Sequence, residues 1–90
     1  MIYLSTKTPV EEAVSILRKE FDIVSVEEKS GGVLKDFKIF VLTVVFNEKP
    51  LRISVFSQKG TTVLSVVFPK KTFSKEEIQD IKNILEKALG

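Results

Sequence analysis

The chain contains no cysteine, no histidine and no tryptophan. Without cysteine it can form neither a disulfide nor a thiolate nucleophile, and without histidine it has no imidazole base for a catalytic triad. Zinc sites built from Cys and His are excluded for the same reason. Only three of the 12 acidic residues are Asp, and none has the spacing of a Ca²⁺ or Mg²⁺ loop. We therefore expect no catalytic residue, no metal and no cofactor, and we interpret the protein as non-enzymatic.

Glycine and proline are also scarce, at four and three residues, and no repeat, linker or low-complexity tract interrupts the 90 residues. That length fits one domain, residues 1–90. The longest uncharged apolar run, residues 39–46, is too short to cross a bilayer as a helix. The first residues lack a basic segment followed by a long apolar run, so they do not form a signal peptide. The default expectation is a soluble cytoplasmic protein with no membrane partner.

Two segments have the pattern of amphipathic helices, each opened by a capping box. In the first, Thr8 is predicted as the N-cap, Pro9 follows it, and Glu11 returns to the N-cap amide. In the second, Ser74 is the predicted N-cap and Glu77 the returning carboxylate. Apolar residues then recur on one side of each helix, so both helices need a surface to cover.

Between the helices the apolar period changes from 3.6 to 2, which is typical of strands. Four runs rich in Val, Ile, Phe and Thr lie at residues 23–29, 37–46, 51–57 and 61–68, separated by turn-forming residues at 30–32, 47–50 and 59–60. Residues 1–5 are a candidate fifth, edge strand. Short connections favour antiparallel hairpins. We predict a two-layer α+β fold in the order (β)-α-β-β-β-β-α, a four- to five-stranded meander with both helices on one face.

The two faces of this sheet follow from the loop lengths. We take residues 59–60 as a two-residue loop and residues 47–50 as a four-residue loop. One face then holds the bulky side chains and is the predicted core under the helices: Phe40, Leu42, Val44, Phe46, Leu51, Ile53, Val55, Leu64, Val66 and Phe68.

The opposite face carries a single charge among apolar, Ser and Thr side chains, and no further helix is available to cover it. If nothing covered it, this face would expose apolar area of about 400 Å², near the size that usually marks an interaction site. Scattered Val and Thr on an exposed strand face are the ordinary alternative. The predicted interface consists of Ile39, Val41, Val45, Arg52, Phe56, Val63 and Val67.

The leading functional hypothesis is self-association, as a homodimer, through this face or through the edge of the sheet. The alternative is nucleic-acid binding by the same face and its basic rim, with Arg52, Lys35, Lys38, Lys70 and Lys71 as candidate contacts. A net charge of +2 and only two arginines make that a weak electrostatic signal. A small apolar ligand held between the face and a partner is the third interpretation.

The predicted element order is similar to one half of the TATA-binding-protein fold, whose uncovered sheet face lies against the minor groove. The composition of the predicted open face resembles that surface in Val41, Thr43, Phe56, Val63, Ser65 and Val67. The resemblance is one of topology and implies a nucleic-acid partner by analogy alone.

Charge carried by Lys and Glu, with only two Gln, two Asn and one Met, predicts thermal stability, because hyperthermophile proteins show this bias. We expect the melting temperature, measured by circular dichroism or calorimetry, to lie well above the mesophile range. A midpoint near 50 °C, within that range, would contradict the expectation.

Overall fold

A computed structural model of the chain describes residues 2–31, 34–69 and 71–89, and for residues 30, 31 and 34–37 it describes the backbone alone. The predicted order β-α-β-β-β-β-α is confirmed. The seven elements are β1 (Ile2–Thr6), α1 (Val10–Glu20), β2 (Asp22–Gly31), β3 (Leu34–Phe46), β4 (Lys49–Gln58), β5 (Thr61–Val67) and α2 (Lys75–Leu89).

All five strands form one antiparallel sheet with the spatial order β1-β5-β4-β3-β2. The candidate first strand is therefore part of the sheet, although Met1 lies outside the described residues. It pairs with β5, so β1 and β2 are the two edges and β4 is the central strand.

The predicted register between β4 and β5 is confirmed. Gln58 lies opposite Thr61, and Val55 lies opposite Leu64. Lys59 and Gly60, the two loop residues, have φ of 52° and 80°. Two consecutive positive φ values define a type I′ turn, whose twist matches that of the strands it joins.

The predicted four-residue loop between β3 and β4 is wrong. Only Asn47 and Glu48 form the turn, with φ of 51° and 65°, and Val44 lies opposite Leu51 rather than Ile53. Asn tolerates the left-handed conformation that such a turn requires. Proline has no amide to donate to a neighbouring strand. Pro50 can nevertheless belong to β4, because the pairing of β4 with β5 begins only at Arg52. The error shifts the register by two residues, so every side chain keeps its predicted face.

Helix α1 begins one residue later than the capping box predicts. Pro9 is the N-cap, with ψ of 149°, and its carbonyl accepts the first helical bond from the Ala13 amide at 2.8 Å. Thr8 lies one residue before the N-cap, and its own amide donates to Thr6 Oγ1 at 3.2 Å. The amide that Glu11 was expected to cap is thus already bonded.

The capping box of α2 is confirmed. The Ser74 amide donates to Glu77 Oε1 at 3.0 Å, and the Glu77 amide donates to Ser74 Oγ at 3.2 Å. The same carboxylate accepts from Lys49 Nζ at 2.7 Å and from Asn47 Nδ2 at 3.1 Å. The start of α2 is therefore tied to the β3–β4 turn by one carboxylate.

The core lies between the helices and the side of the sheet that they cover, here called the helix side. Seven of the ten predicted core residues are buried, while Phe40, Phe46 and Phe68 pack at its margin and are partly buried. The helices contribute Leu17, Leu85 and their neighbours. Among the described residues, no helix is long and apolar enough to cross a membrane.

The Glu77 network predicts an acid-dependent stability difference. Hydrogen bonds from Lys49, the Ser74 amide and Asn47 lower the pKa of Glu77 from 4.5 to about 2. A carboxylate with a lowered pKa stabilises the fold above its unfolded pKa and loses that contribution as the pH falls through the folded value. The free energy of unfolding should therefore drop in Glu77→Gln at neutral pH, and the gap to the unmodified protein should close between pH 4.5 and about 2.

Urea unfolding at a series of pH values measures that gap. Glu76→Gln, which removes the exposed neighbouring carboxylate of the same helical turn, is the matched control. A gap for Glu77→Gln that stays constant down to pH 2 would contradict the assignment.

Candidate interface on the open face

The side of the sheet opposite the helices, here called the open face, is defined by the strand register. Alternate residues of each strand point to it, and the register aligns them in rows that run across the strands. Its members with described side chains are Tyr3, Ser5, Asp22, Ser25, Glu27, Lys29, Ile39, Val41, Thr43, Val45, Pro50, Arg52, Ser54, Phe56, Gln58, Thr61, Val63, Ser65 and Val67.

All seven predicted interface residues lie on this face. Ile39 is opposite Phe56, and Phe56 is opposite Val63, so three apolar side chains stand side by side on three neighbouring strands. We call these three residues the large row. They are partly buried by their own neighbours, whereas Val67 is 44% exposed.

Two small side chains adjoin the large row. Ser54 and Ser65 face each other on β4 and β5, two residues along from Phe56 and Val63. We call them the serine pair. Side chains two residues apart on a strand are separated by about 6.8 Å. The centre of the open face is therefore a ridge beside a shallow trough, not a flat surface.

The charges of the open face flank that centre and balance. Asp22, Glu27 and Lys29 are on the edge strand β2, and Arg52 is on β4, two residues along from Ser54 on the side away from Phe56. Among the described side chains of this face, two positive charges thus oppose two negative ones. These four charges together therefore add no net positive charge that would attract a polyanion.

The predicted basic contacts do not converge on the open face. Lys38 belongs to the helix side, in register with Phe40, and its Nζ lies 3.5 Å from the Glu28 carboxylate. Lys71 is in the connection between β5 and α2. Lys70 and the side chain of Lys35 lie outside the described residues. The strand period of two separates Lys38 from Arg52.

Sequence reasoning missed the parts of the open face that β1 and β2 supply. Tyr3, at 66% exposure, is the largest of the exposed hydrophobic side chains among the described residues. The signal was present, because Ile2 and Leu4 alternate with Tyr3 and Ser5 as an edge strand requires. Glu27 and Lys29 were missed because the β2 register was not assigned.

A groove of about 370 Å³ opens beside Arg52, between the ends of the three central strands and the segment after β5. Its walls are mainly apolar, including Val67, Phe68 and Pro69. No group of three or more Asp or Glu that could hold a metal occurs among the described residues.

Comparison of the chain with protein-family models, with curated proteins and with solved structures finds no match. The likeness to half of the TATA-binding-protein fold therefore has no structural neighbour to support it, and it extends no further than the order of elements. The function has to be argued from the open face itself.

Proposed function

We propose that this protein is a non-enzymatic interaction module that forms a homodimer by packing its open face on that of a second copy. The observation that carries the proposal is the large row beside the serine pair. A surface with a ridge next to a trough complements itself, which is what a two-fold symmetric contact requires.

The position of the proposed symmetry axis follows from the requirement that large side chains meet small ones. A two-fold axis that crosses the strands midway between the large row and the serine pair exchanges the two rows. Phe56 then lies opposite Ser54 of the second copy, and Val63 lies opposite Ser65. Large side chains meet small ones on both strands, so the sheets can approach the roughly 10 Å separation of packed sheets.

The same axis also pairs opposite charges. Glu27 is in the row of the serine pair and Lys29 is in the large row, both on β2. Exchange of the two rows places Glu27 of each copy opposite Lys29 of the other. Complementary charges at the rim of an interface fix its register more than they strengthen it. A shift by one row would place like charges opposite each other.

The size of the open face limits the strength of the contact. Five strands spaced about 4.8 Å apart and five rows spaced about 6.8 Å apart enclose, between the outermost strands and rows, an area on the order of 500 Å². Stable interfaces bury about 800 Å² per partner. We therefore propose a dimer that forms at micromolar concentration and dissociates on dilution.

Replacing Phe56 by Asp should abolish this dimer without unfolding the chain. A carboxylate in the large row would be desolvated against Ser54 of the second copy with no cation to pair with. Light scattering coupled to size exclusion, at an on-column concentration on the order of 100 µM, measures the mass. Asn83→Asp, at an exposed site of α2 on the helix side of the sheet, is the control and should leave the mass unchanged. Equal masses for Phe56→Asp and the unmodified protein would refute the proposal.

Reversing the rim charges tests the register of the contact. Glu27→Lys places two lysines opposite each other in both charge pairs, which lie together at the β2 end of the interface, and Lys29→Glu places two glutamates there. Each should raise the dimer Kd on the order of 10-fold at low salt, whereas the double reversal should restore it. Sedimentation equilibrium gives the three constants. Failure of the double variant to recover would contradict the proposed axis.

Nucleic-acid binding is the second candidate for this face, and its support is the exposed guanidinium of Arg52 together with the order of elements. The balanced charges of the open face weigh against it. Retention on DNA or RNA at low salt that is lost in Arg52→Ala would favour nucleic acid over a second copy. Extra mass in native mass spectrometry would indicate a ligand in the groove beside Arg52.

A further inference from the structure

The two edges of the sheet differ in how they are protected. The free edge of β2 carries Glu27, Glu28 and Lys29, and an irregularity of register between Ile23 and Ser25 interrupts its pairing with β3. Charges and bulges are the features by which proteins prevent an edge strand from pairing with another chain. The β2 edge is therefore closed to further strands.

The free edge of β1 has neither feature. Its residues, Ile2–Thr6, carry no charged side chain and no proline, and they pair with β5 in unbroken register. Among the described residues, no element lies beyond β1 in the sheet. An edge of this kind is open to a further strand.

The turn between β4 and β5 determines which β1 groups point outward. The residues that flank a two-residue turn exchange both backbone hydrogen bonds, so Gln58 bonds to Thr61 and every second pair follows. The β5 residues between these pairs, such as Leu64, direct their backbone groups to β1 instead. They bond to every second residue of β1, and Leu64 bonds to Leu4. The amide and carbonyl groups of Tyr3 and Ser5 consequently point away from the sheet.

We propose that β1 is a second self-association site, which pairs antiparallel with β1 of another copy about a two-fold axis through Leu4. Tyr3 of each chain lies opposite Ser5 of the other. Each of these two pairs exchanges two backbone hydrogen bonds, so the outward groups of Tyr3 and Ser5 are all satisfied. The two five-stranded sheets become one ten-stranded sheet.

A groove of about 350 Å³ on the helix side supports this pairing. It lies between β1 and α2 and is lined by Leu4, Leu64, Leu85 and Leu89 among others. The charged residue in its wall, Glu86, has its carboxylate 3.9 Å from Lys82 Nζ. Pairing of the edges brings Leu4 of the second copy against Leu4 of the first, so apolar surface that α2 leaves uncovered becomes buried.

The edge contact does not rest on the proposed function, because it uses different atoms. The two contacts are nevertheless compatible. The axis proposed for the open face crosses β1 between Tyr3 and Ser5, at Leu4, and the edge axis passes through Leu4 perpendicular to the sheet. Perpendicular axes that intersect generate a closed assembly of four chains with D₂ symmetry.

Cross-linking tests the edge contact directly, because the chain has no cysteine of its own. Leu4→Cys places two thiols across a non-hydrogen-bonded pair, where the Cα atoms are about 4.5 Å apart and a disulfide fits. Tyr3→Cys, the control, places them about 8 Å apart, which is too far. Both are made in the Phe56→Asp background, so that the open face cannot contribute. Air oxidation with a copper catalyst should link Leu4→Cys into dimers and leave Tyr3→Cys unlinked.

Equal cross-linking of the two cysteine variants would overturn the edge contact. The mass in solution provides a second test that avoids the core. Ser5→Pro removes an outward amide of β1, and Glu28→Pro removes an outward amide of β2. Ser5→Ala changes the same open-face side chain but keeps the amide, so it isolates the effect of the amide. Circular dichroism checks that all three fold. Ser5→Pro should halve the mass of the unmodified assembly, whereas Ser5→Ala and Glu28→Pro should leave it unchanged.

The masses separate the two proposals. If both contacts form, the unmodified protein contains four chains per particle. Phe56→Asp and Ser5→Pro each contain two chains per particle, and the double variant is a monomer. A dimer that Phe56→Asp alone dissociates would refute the edge contact and leave the open-face contact standing. A dimer that Ser5→Pro alone dissociates would do the reverse.

Discussion

The structure depends on the register that two tight turns impose on its three central strands. Asn47-Glu48 and Lys59-Gly60 each reverse the chain in two residues with both φ values positive, which leaves no freedom in how β3, β4 and β5 align. A slip of one residue would expose Leu42 and its buried neighbours. The same alignment that forms the core also creates the ridge and trough of the open face.

Much of this architecture could be predicted, because alternation of apolar residues is a local signal. The predicted faces are correct despite the wrong loop length, because side chains alternate with a period of two and the error shifts the register by two residues. Two local motifs gave wrong predictions, because residues outside the motif determine what its backbone groups bond to. Thr8 has the sequence of a cap, but Thr6 binds its amide. Proline is typical of loops, yet Pro50 lies in β4, at a position that β5 does not reach.

The part of the candidate site on the three central strands could also be predicted from local signals. Residues on β3, β4 and β5 could be placed because those strands follow one another through short turns. The alternation in β1 indicates the face of Tyr3 but not the neighbouring strand, because β1 reaches the sheet only through its pairing with β5. Glu27 could not be placed, because the pairing of β2 with β3 contains register shifts that no local signal predicts. Those missed residues carry the charges and the edge on which the proposed symmetry depends. The helices cover one side of the sheet, and the proposed contacts supply cover for the other side and for the open edge.

The most direct test of this account is the mass of the unmodified protein in solution, measured by light scattering across a dilution series. We expect more than one chain of 10.1 kDa per particle at high micromolar concentration, with dissociation on dilution. A mass of 10.1 kDa at every concentration would contradict the central claim that the exposed surfaces of this sheet are covered by further copies of the chain.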